Sequence, residues 1–239
     1  MLIAQLSDIH LDGTSSLERF DRVLRWVAEL RPDAVAVSGD LANNSYPANY
    51  ALVKARLIAL GAPVLVVPGN VDSREAMREV FGGPADGPLN RVVEVGDRVR
   101  LIGLDVIVPG AAHGDATPVL GWLEARLNSG GAPALIFLHQ HPFDCGMDQY
   151  ETIDCRNKEG LAAVIEDARD TVLGIGCGHL HRPMFTRFAG LPAALAPSIA
   201  PMGGLAARGR KMPATDPPGL LVHHIKDSNL VTHVISVGA

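Results

Sequence analysis

Short apolar runs alternate along the chain with stretches in which apolar residues recur at helical spacing. Residues 2–6 have the length and composition of a buried strand, and residues 17–30 repeat apolar positions every three or four residues until Pro32. The same alternation continues through most of the chain. It predicts further strands at 34–37, 64–67, 91–95, 99–104, 134–138 and 172–175, and helices at 48–60, 73–80, 118–127 and 158–168.

The last quarter of the chain has a different pattern, with short strands predicted at 184–188, 193–196, 220–225 and 230–235. Helix–strand alternation followed by an antiparallel part favours a layered α/β sandwich. Neither an internal repeat nor a linker marks a boundary, so we expect a single domain over residues 1–239. The Gly/Pro/Ala-rich segment 197–218 is predicted to be a surface loop. It carries the basic residues Arg208, Arg210 and Lys211.

Composition excludes several classes of protein. Apolar residues make up 47% of the 239 positions, which excludes a disordered chain. The net charge of −5 and the 5% aromatic content argue against nucleic acid and anionic membranes as partners. The N-terminus has no signal-peptide pattern and no apolar run approaches the roughly 18 residues of a membrane span, so we expect a cytoplasmic protein. Three cysteines agree with a reducing compartment, and a disulfide between Cys145 and Cys155 stays open as an alternative.

Five of the predicted strands are followed, within four residues, by residues of the types that bind metal ions. Open α/β sheets place their ligands just beyond the carboxyl ends of the strands, so these residues predict one convergent site. Within it, Asp8/His10 and His179/His181 are spaced i, i+2, which in extended backbone puts both side chains of a pair on one face. The seven candidates are Asp8, His10, Asp40, Asn70, His139, His179 and His181.

The chemistry of this set favours two metal ions. Two carboxylates, one amide and four imidazoles, without a thiolate, suit Fe, Mn, Zn or Co rather than a closed structural zinc site. Seven protein groups exceed what one four-coordinate ion needs, and they suit two ions that share a carboxylate. Two divalent ions against two carboxylates leave a net charge of about +2, which would attract a phosphate into an otherwise acidic protein.

The ordered motifs around these residues resemble those of the calcineurin-like metallophosphoesterases over residues 2 to about 200. They are Asp8-x-His10, Gly39-Asp40, Gly69-Asn70-x-Asp72, His139 and Gly178-His179-x-His181. Four further segments are similar to the bacterial class III cyclic nucleotide and glycerophosphodiester phosphodiesterase branch. They are Leu104-Asp105, Val108-Pro109-Gly110, Gly121-Trp122-Leu123 and Met147-Asp148.

The resemblance implies a four-layer α/β/β/α sandwich and assigns a role to each ligand. Asp8, His10 and His181 would hold the first metal ion. Asn70, His139 and His179 would hold the second, and Asp40 would bridge the two.

The sequence departs from the family pattern at two places. The family usually has Gly-Asn-His-Asp, in which the histidine contacts the phosphate and protonates the leaving group, whereas this chain has Val71 at that position. The branch usually has His-His-Pro-Pro where this chain has His139-Gln140-His141-Pro142. We align His139 with the ligand because it directly follows the strand, and His141 is the alternative.

The expected activity is hydrolysis of phosphodiesters of the cyclic nucleotide or glycerophosphodiester type, by attack of a hydroxide formed on the metal ions. The expected partner is a small phosphodiester rather than a nucleic acid duplex or a membrane, and the resemblance also implies a homodimer. The candidate catalytic residues are Asp40, Asn70 and His141, with His141 as an acid or a substrate contact. The candidate substrate contacts are Asn70, Arg74 and Phe143, and His113 is an alternative proton donor.

Two other functions stay open. One is a phosphomonoesterase on the same site, and the other is a non-catalytic, metal-binding scaffold, which Val71 favours. The loops 141–153 and 197–218 are candidate substrate or oligomer elements. His223, His224 and His233, which fall in the predicted tail strands, are expected to be ordinary surface or packing residues.

Overall fold

The computed structural model of the chain describes residues 1–43, 46–207, 210–214 and 216–238, so Arg208 of the basic loop lies outside the described residues. The main strands and helices fall close to the predicted positions. The strands are β1 (Leu2–Leu6), β2 (Ala34–Ser38), β3 (Val64–Val67), β4 (Arg91–Val95), β5 (Val99–Leu104), β6 (Gly114–Asp115), β7 (Ala134–Leu138), β8 (Cys155–Arg156), β9 (Val172–Cys177), β10 (Met184–Phe188), β11 (Leu191–Leu195), β12 (Ala206–Ala207), β13 (Arg210–Lys211), β14 (Gly219–Lys226) and β15 (Asn229–Ser236). The helices are α1 (Thr14–Leu30), α2 (Pro47–Ile58), α3 (Arg74–Phe81), α4 (Leu120–Asn128) and α5 (Lys158–Asp167).

Two mixed sheets form the centre of the fold. The first has the order β15-β14-β1-β2-β3, in which β1, β2 and β3 are parallel and the tail hairpin β14–β15 is antiparallel. The second has the order β10-β11-β9-β7-β5-β4, in which the four inner strands are parallel and the edge strands β4 and β10 are antiparallel. The parallel strands of both sheets supply the ends on which the candidate ligands lie.

Side-chain alternation along the strands separates three large apolar cores and one small cluster of Ala194, Ala196 and Leu221. In β1, Ile3 packs between the two sheets, whereas Ala4 and Leu6 pack against helices. Phe137 of β7 meets Ile3 in the core between the sheets. The outer faces are covered by α1, α2 and α3 on the first sheet, and by α4 and α5 on the second. The order of layers is therefore α/β/β/α, which confirms the expected four-layer sandwich.

The structure departs from the predicted bounds at several places. Helix α1 begins at Thr14 rather than at 17, because Ser16 Oγ accepts a hydrogen bond from Gly13 N and donates one to Gly13 O. Before α4, a 3₁₀ turn at Thr117–Val119 replaces the predicted first helical turn. The expectation that the segment 197–218 is a surface loop is wrong for its start, because Ser198, Ile199 and Ala200 are buried, and Ile199 N and Ala200 N donate to Ser7 O and Asp8 O. The segment also contains the short pair β12–β13.

Two expectations about cysteines and membranes can be compared with the structure. Cys145, Cys155 and Cys177 are all free thiols, so the alternative disulfide between Cys145 and Cys155 is not formed. Within the described ranges, none of the helices combines the length and the apolar character that crossing a bilayer requires.

Candidate metal centre

The strand ends of both sheets meet at one edge of the sandwich. Within the first sheet, Asp8 N after β1 donates to Gly39 O after β2 over 3.0 Å. Within the second sheet, Gly178 N after β9 donates to His139 O after β7, also over 3.0 Å. The two sheets are joined where His179 N donates to the Asp8 carboxylate at 3.1 and 3.2 Å. The predicted convergence of the strand ends is therefore present, and the site lies between the two sheets.

Five of the seven candidate ligands lie on left-handed rather than extended backbone. Asp8 and His10 have φ values of 53° and 47°, Asp40 has 53°, and His179 and His181 have 81° and 52°. The expectation that the i, i+2 pairs lie in extended backbone is therefore wrong, although the members of each pair do share the site. A non-glycine residue in this region costs roughly 1–3 kcal/mol, and such strain is concentrated at functional sites.

Two glycines of the motifs are required by close approach to the ligands. A Cβ on Gly69 would lie 2.1 Å from Asp40 Oδ1. A Cβ on Gly178 would lie 2.0 Å from Ser7 Oγ and 2.9 Å from Asp8 Oδ2. The loops that carry Asn70 and His179 can therefore reach the carboxylates only because these two positions have no side chain.

Asp8, His10 and His181 form what we call the outer group, around one oxygen of Asp40. His10 Nε2 lies 3.0 Å from His181 Nε2 and 3.3 Å from Asp40 Oδ2. His181 Nε2 lies 3.4 Å from Asp8 Oδ1. Together with Asp40, these residues offer one ligand atom each within 4.8 Å of one another, which is the spacing that a single ion could use.

Asn70, His139 and His179 form what we call the inner group, beside the same oxygen of Asp40. His139 Nε2 lies 3.3 Å from Asp40 Oδ2, 3.3 Å from His179 Nδ1 and 3.2 Å from Asn70 Oδ1. Asp40, His139 and His179 also offer ligand atoms that all lie within 4.8 Å of one another. Asp40 thus belongs to both clusters, as a bridging carboxylate would.

The outward-facing ring nitrogens of three histidines are held by backbone carbonyl oxygens. His139 Nδ1 donates to Ser38 O at 2.7 Å, His179 Nε2 to Ile153 O at 3.0 Å, and His181 Nδ1 to Pro201 O at 3.0 Å. A carbonyl oxygen only accepts, so each of these nitrogens carries the proton, and the other nitrogen of a neutral ring presents its lone pair to the centre. Fixing the ring orientation through the second nitrogen is typical of metal-binding histidines, so the donor set fits metal ions.

Without a metal ion, protonated imidazoles balance the carboxylates. Burial opposes charge on Asp40, but His139 and His10 hold the pKa of that carboxyl well below its usual value. Burial likewise opposes charge on the two rings, yet Asp40 raises the pKa of His139 and of His10 to about 9. Burial, together with the charge of His139, lowers the pKa of His179 to about 3. The negative charge of Asp40 keeps protons on His10 and His139. The same negative charge would attract divalent cations, which would replace those protons.

Asp72 connects the loop of Asp40 to the loop of Asn70. Its carboxylate accepts hydrogen bonds from Leu41 N at 3.0 Å and from Gly69 N at 2.8 Å. Burial, and then the charge of Asp40, raise the pKa of Asp72 to about 7. Asp72 therefore stabilises the two ligand loops relative to each other without joining either cluster.

Two of the remaining sequence-predicted residues lie beside the centre without entering a cluster. His139, and not His141, lies in the inner group; the His141 ring centroid is 6.3 Å from that of His179. His141 is 1% exposed, and burial lowers its pKa to about 4. Phe143 packs against His141 and lines an adjoining cavity of about 280 Å³ together with Asp144, Asp154 and Lys158.

Arg74 and Val71 have defined partners near the inner group. Arg74 donates to both carboxylate oxygens of Asp105, at 2.7 and 2.8 Å, and to Ile107 O at 2.8 Å. Its guanidinium is thus largely engaged within the protein, and a contact with substrate stays a prediction. Val71 is half-buried, and its backbone N–H donates to Asp40 Oδ1 at 3.1 Å. His113 lies half-buried in the loop before β6 and is in neither cluster.

Sequence reasoning missed the groups that orient the ligands. Asn43 Oδ1 lies 2.5 Å from His10 Nδ1, and the other orienting groups are the backbone carbonyls of Ser38, Ile153 and Pro201. A backbone carbonyl has no residue-type signal, so no motif could have identified these partners. Asn43 could have been found only through its position three residues after Asp40.

Comparison with known proteins identifies the family. The model of the calcineurin-like phosphoesterase family matches residues 1–183. The chain belongs to the calcineurin-like phosphoesterase family. All seven candidate ligands fall within the matched residues.

Two curated members of the family are similar over most of the chain. A glycerophosphodiester phosphodiesterase GpdQ of Enterobacter lignolyticus is 33% identical over 205 residues, which cover 79% of this chain and 73% of that protein. A cAMP/cGMP dual specificity phosphodiesterase of Mycobacterium tuberculosis is 32% identical over 213 residues, which cover 82% of this chain and 66% of that protein. Among solved structures, a dimetal phosphatase from Danio rerio has the same fold, with a TM-score of 0.70 at 14% identity over 100% of this chain and 99% of that one.

Proposed function

We propose that the protein is a binuclear-metal phosphodiesterase that hydrolyses phosphodiesters of the cyclic nucleotide or glycerophosphodiester type. The observation that carries this proposal is the shared position of Asp40, whose carboxylate belongs to both ligand clusters. The names of the similar phosphodiesterases from Enterobacter lignolyticus and Mycobacterium tuberculosis support the choice of diesters.

The proposed ligand assignment follows the two groups. The outer group (Asp8, His10 and His181) would hold one ion and the inner group (Asn70, His139 and His179) the other, with Asp40 between them. Two such ions, when bound, supply positive charge that polarises a phosphoryl oxygen and makes water a nucleophile near neutral pH. Nitrogen and oxygen donors suit Fe, Mn, Zn or Co, and availability in the cell selects among them.

The chain orients the metal ligands and leaves one side of the centre open to substrate. The carbonyls of Ser38, Ile153 and Pro201 keep three imidazoles aimed at the centre, so little reorganisation is required when substrate binds. Exposure differs across the site. The His139 side chain is 0% exposed, whereas those of His10 and His181 are 16% and 24% exposed. A phosphodiester would therefore enter on the side of His10 and His181 rather than over His139.

Protonation of the leaving group is where this chain departs from its family. Val71 has no ionisable group, and the low pKa of His141 leaves that ring neutral, so neither side chain supplies a proton to the leaving oxygen at neutral pH. A positioned general acid contributes typically 10²–10⁴-fold for poor leaving groups. The rate is therefore expected to depend steeply on the pKa of the leaving alcohol.

A screen of esters with reconstituted protein tests the proposal. The metal-free protein, loaded in turn with Mn, Zn, Fe and Co, is assayed on bis-p-nitrophenyl phosphate, p-nitrophenyl phosphate, 3′,5′-cyclic nucleotides and glycerophosphodiesters. We expect faster turnover of diesters than of the monoester, with the Asp40→Asn variant as the inactive control. A preference for the monoester would instead identify a phosphomonoesterase.

A metal-binding scaffold without catalysis is the second candidate, and Val71 is the observation that favours it. Metal analysis separates this candidate from the enzyme. A protein that retains its ions but hydrolyses none of these esters with any of the four metals would be a scaffold. Oligonucleotides added to the same panel test the expectation that nucleic acid is not a substrate.

A further inference from the structure

We propose that Gln5 is a positioning residue of the metal centre, although it is not one of the ligands. Gln5 lies in β1, three residues before Asp8, and is 0% exposed. It occupies the space between the two sheets, where its neighbour on the same face of the strand, Ile3, is apolar. This inference rests on the proposed function, since it concerns how the chain holds the ions of that site.

The Gln5 carboxamide joins the ends of three strands in two sheets. Its Nε2 donates to Ser38 Oγ at the end of β2, over 2.9 Å. The same nitrogen donates to Cys177 O at the end of β9, also over 2.9 Å. Because Gln5 itself belongs to β1, both amide protons are used to link the sheet that carries Asp8 and Asp40 to the sheet that carries His179.

The groups that Gln5 holds are those that orient the inner group. The carbonyl of Ser38 accepts the hydrogen bond from His139 Nδ1 at 2.7 Å. It also accepts one from Ser7 Oγ at 3.1 Å. Two residues beyond Cys177, His179 N donates to the Asp8 carboxylate. A shift of the Ser38 or Cys177 backbone would therefore move His139 and His179 relative to Asp40.

The other end of the carboxamide is also fixed. Gln5 Oε1 accepts a hydrogen bond from His223 Nε2 at 2.8 Å, and His223 Nδ1 lies 2.9 Å from Thr232 Oγ1 of the tail hairpin. A Cβ on Gly176 would lie only 2.5 Å from Gln5 Oε1, so the side chain fits a slot with little room to rotate. A buried amide whose two protons and whose oxygen each have a hydrogen-bond partner is rigid, which suits a positioning role.

Metal titration of variants tests this role without any substrate. Gln5→Met keeps the length of the side chain but removes both donors, whereas His223→Met disrupts the far end of the same buried network and leaves the bonds to Ser38 and Cys177. We expect Gln5→Met to weaken Mn²⁺ binding to the metal-free protein about 10–100-fold, which is the usual effect of changing a group that orients ligands. His223→Met should change the Mn²⁺ affinity less than about threefold, even where it lowers Tm as much.

A third variant and a double mutant localise the effect. Ser38→Ala removes the Oγ that accepts from Gln5 and should weaken Mn²⁺ binding in the same direction, by less than Gln5→Met. The Gln5→Met/Ser38→Ala double mutant should then bind Mn²⁺ more tightly than the product of the two single effects predicts, because both changes break one contact. If Gln5→Met does not fold, the comparison of Ser38→Ala with His223→Met takes its place.

The outcomes are decisive in both directions. Equal weakening by Gln5→Met and His223→Met, or an unchanged affinity in Gln5→Met and Ser38→Ala, would overturn the positioning role and leave Gln5 as a packing residue. Because Mn²⁺ affinity is measured without an ester, a positive result stands even if none of the esters in the screen is hydrolysed. An active enzyme whose Mn²⁺ affinity ignores Gln5 would overturn this inference and leave the proposed function intact.

Discussion

The outer and inner groups use similar donors but differ in what surrounds them. His139 of the inner group is held by a carbonyl at the end of β2, and its side chain is 0% exposed. The outer-group rings of His10 and His181 are 16% and 24% exposed, and their second nitrogens are held by Asn43 and by the loop carbonyl of Pro201. His139 is therefore built into the sandwich, whereas the rings of His10 and His181 lie on loops that face the solvent. The contrast concerns these rings, since Asp8 of the outer group is buried and Asn70 and His179 of the inner group are half-buried.

Because of this difference, we expect these histidines to have different roles within one site. A buried ring that is held by a carbonyl at a strand end, as His139 is, loses little entropy when it binds an ion, and its surroundings exclude water. A solvent-facing set held by loops exchanges its ligands more readily and leaves room for substrate. We therefore expect His139 to determine whether the centre is assembled, and His10 and His181 to determine how substrate is received.

The largest effect is expected where the two groups meet, at Asp40. Asp40→Asn keeps the shape of the side chain but removes the charge that both clusters share, so the affinity for both ions should fall together. We expect the rate of diester hydrolysis to fall more than about 10²-fold. This loss exceeds the usual effect of changing a residue that only orients a metal ligand. Metal content by elemental analysis, together with kcat/KM, checks this prediction. Loss of one ion only would mean that Asp40 does not bridge.

The next effect separates the inner group from the outer group by stability. In the metal-free protein, His139→Ala removes one of the two hydrogen bonds to Ser38 O and opens a cavity in a fully buried place, which should lower the free energy of unfolding by about 2–4 kcal/mol. His10→Ala removes a partly exposed ring and should cost about 1 kcal/mol. Urea denaturation in the presence of a chelator measures both values. Equal losses would show that burial does not distinguish the two groups.

The sequence predicts the ligands but not the surroundings that distinguish the groups. His139 and His179 could be identified because each follows an apolar strand, and strand periodicity is a local property of the chain. The left-handed backbone at Asp8 and His10 could not be predicted, because non-glycine residues adopt it only when tertiary contacts hold them there.

Contacts between residues far apart in the sequence also cannot be predicted from apolar periodicity, because periodicity is a local property of the chain. The sequence predicts His223 to be an ordinary surface or packing residue of the tail. It is buried, but its ring bonds to Gln5, 218 positions away in the sequence. That contact depends on the register between β1 and β14, which pairs Ile3 with His223. Apolar alternation predicts that both strands exist but not how they are aligned, so the polar network between the sheets could not be foreseen.

A smaller effect is expected at Val71, beside the inner group. Val71→His introduces a ring next to Asn70, where the family usually has a proton donor. For esters of poor leaving groups the rate should rise about 10-fold, below the 10²–10⁴-fold of an optimised general acid, while p-nitrophenyl esters should change little. A series of diesters with leaving groups of graded pKa measures the slope in both proteins, with Val71→Leu as the control for size. An identical slope in Val71→His and wild type would contradict a missing acid.

A pH dependence is also expected, and the metal-free protein alone should show it. The pKa of His10 and of His139 is raised to about 9 in the folded state, against about 6.5 for an unfolded histidine. The folded state therefore binds more protons between these values. The extra stability is fully present below about pH 6.5 and is lost as the pH rises through about 9.

Urea denaturation of the metal-free protein should accordingly give a free energy of unfolding that falls by on the order of 2 kcal/mol between about pH 6.5 and 9. His139→Gln should flatten this slope more than His10→Gln, because His139 is fully buried against Asp40, whereas part of His10 faces water that screens the same interaction. His224→Gln, at an exposed position of β14, is the matched control and should leave the slope unchanged. If His10→Gln flattens the slope as strongly as His139→Gln does, solvent screens both rings equally. The contrast between the buried ring of His139 and the solvent-facing ring of His10 would then fail.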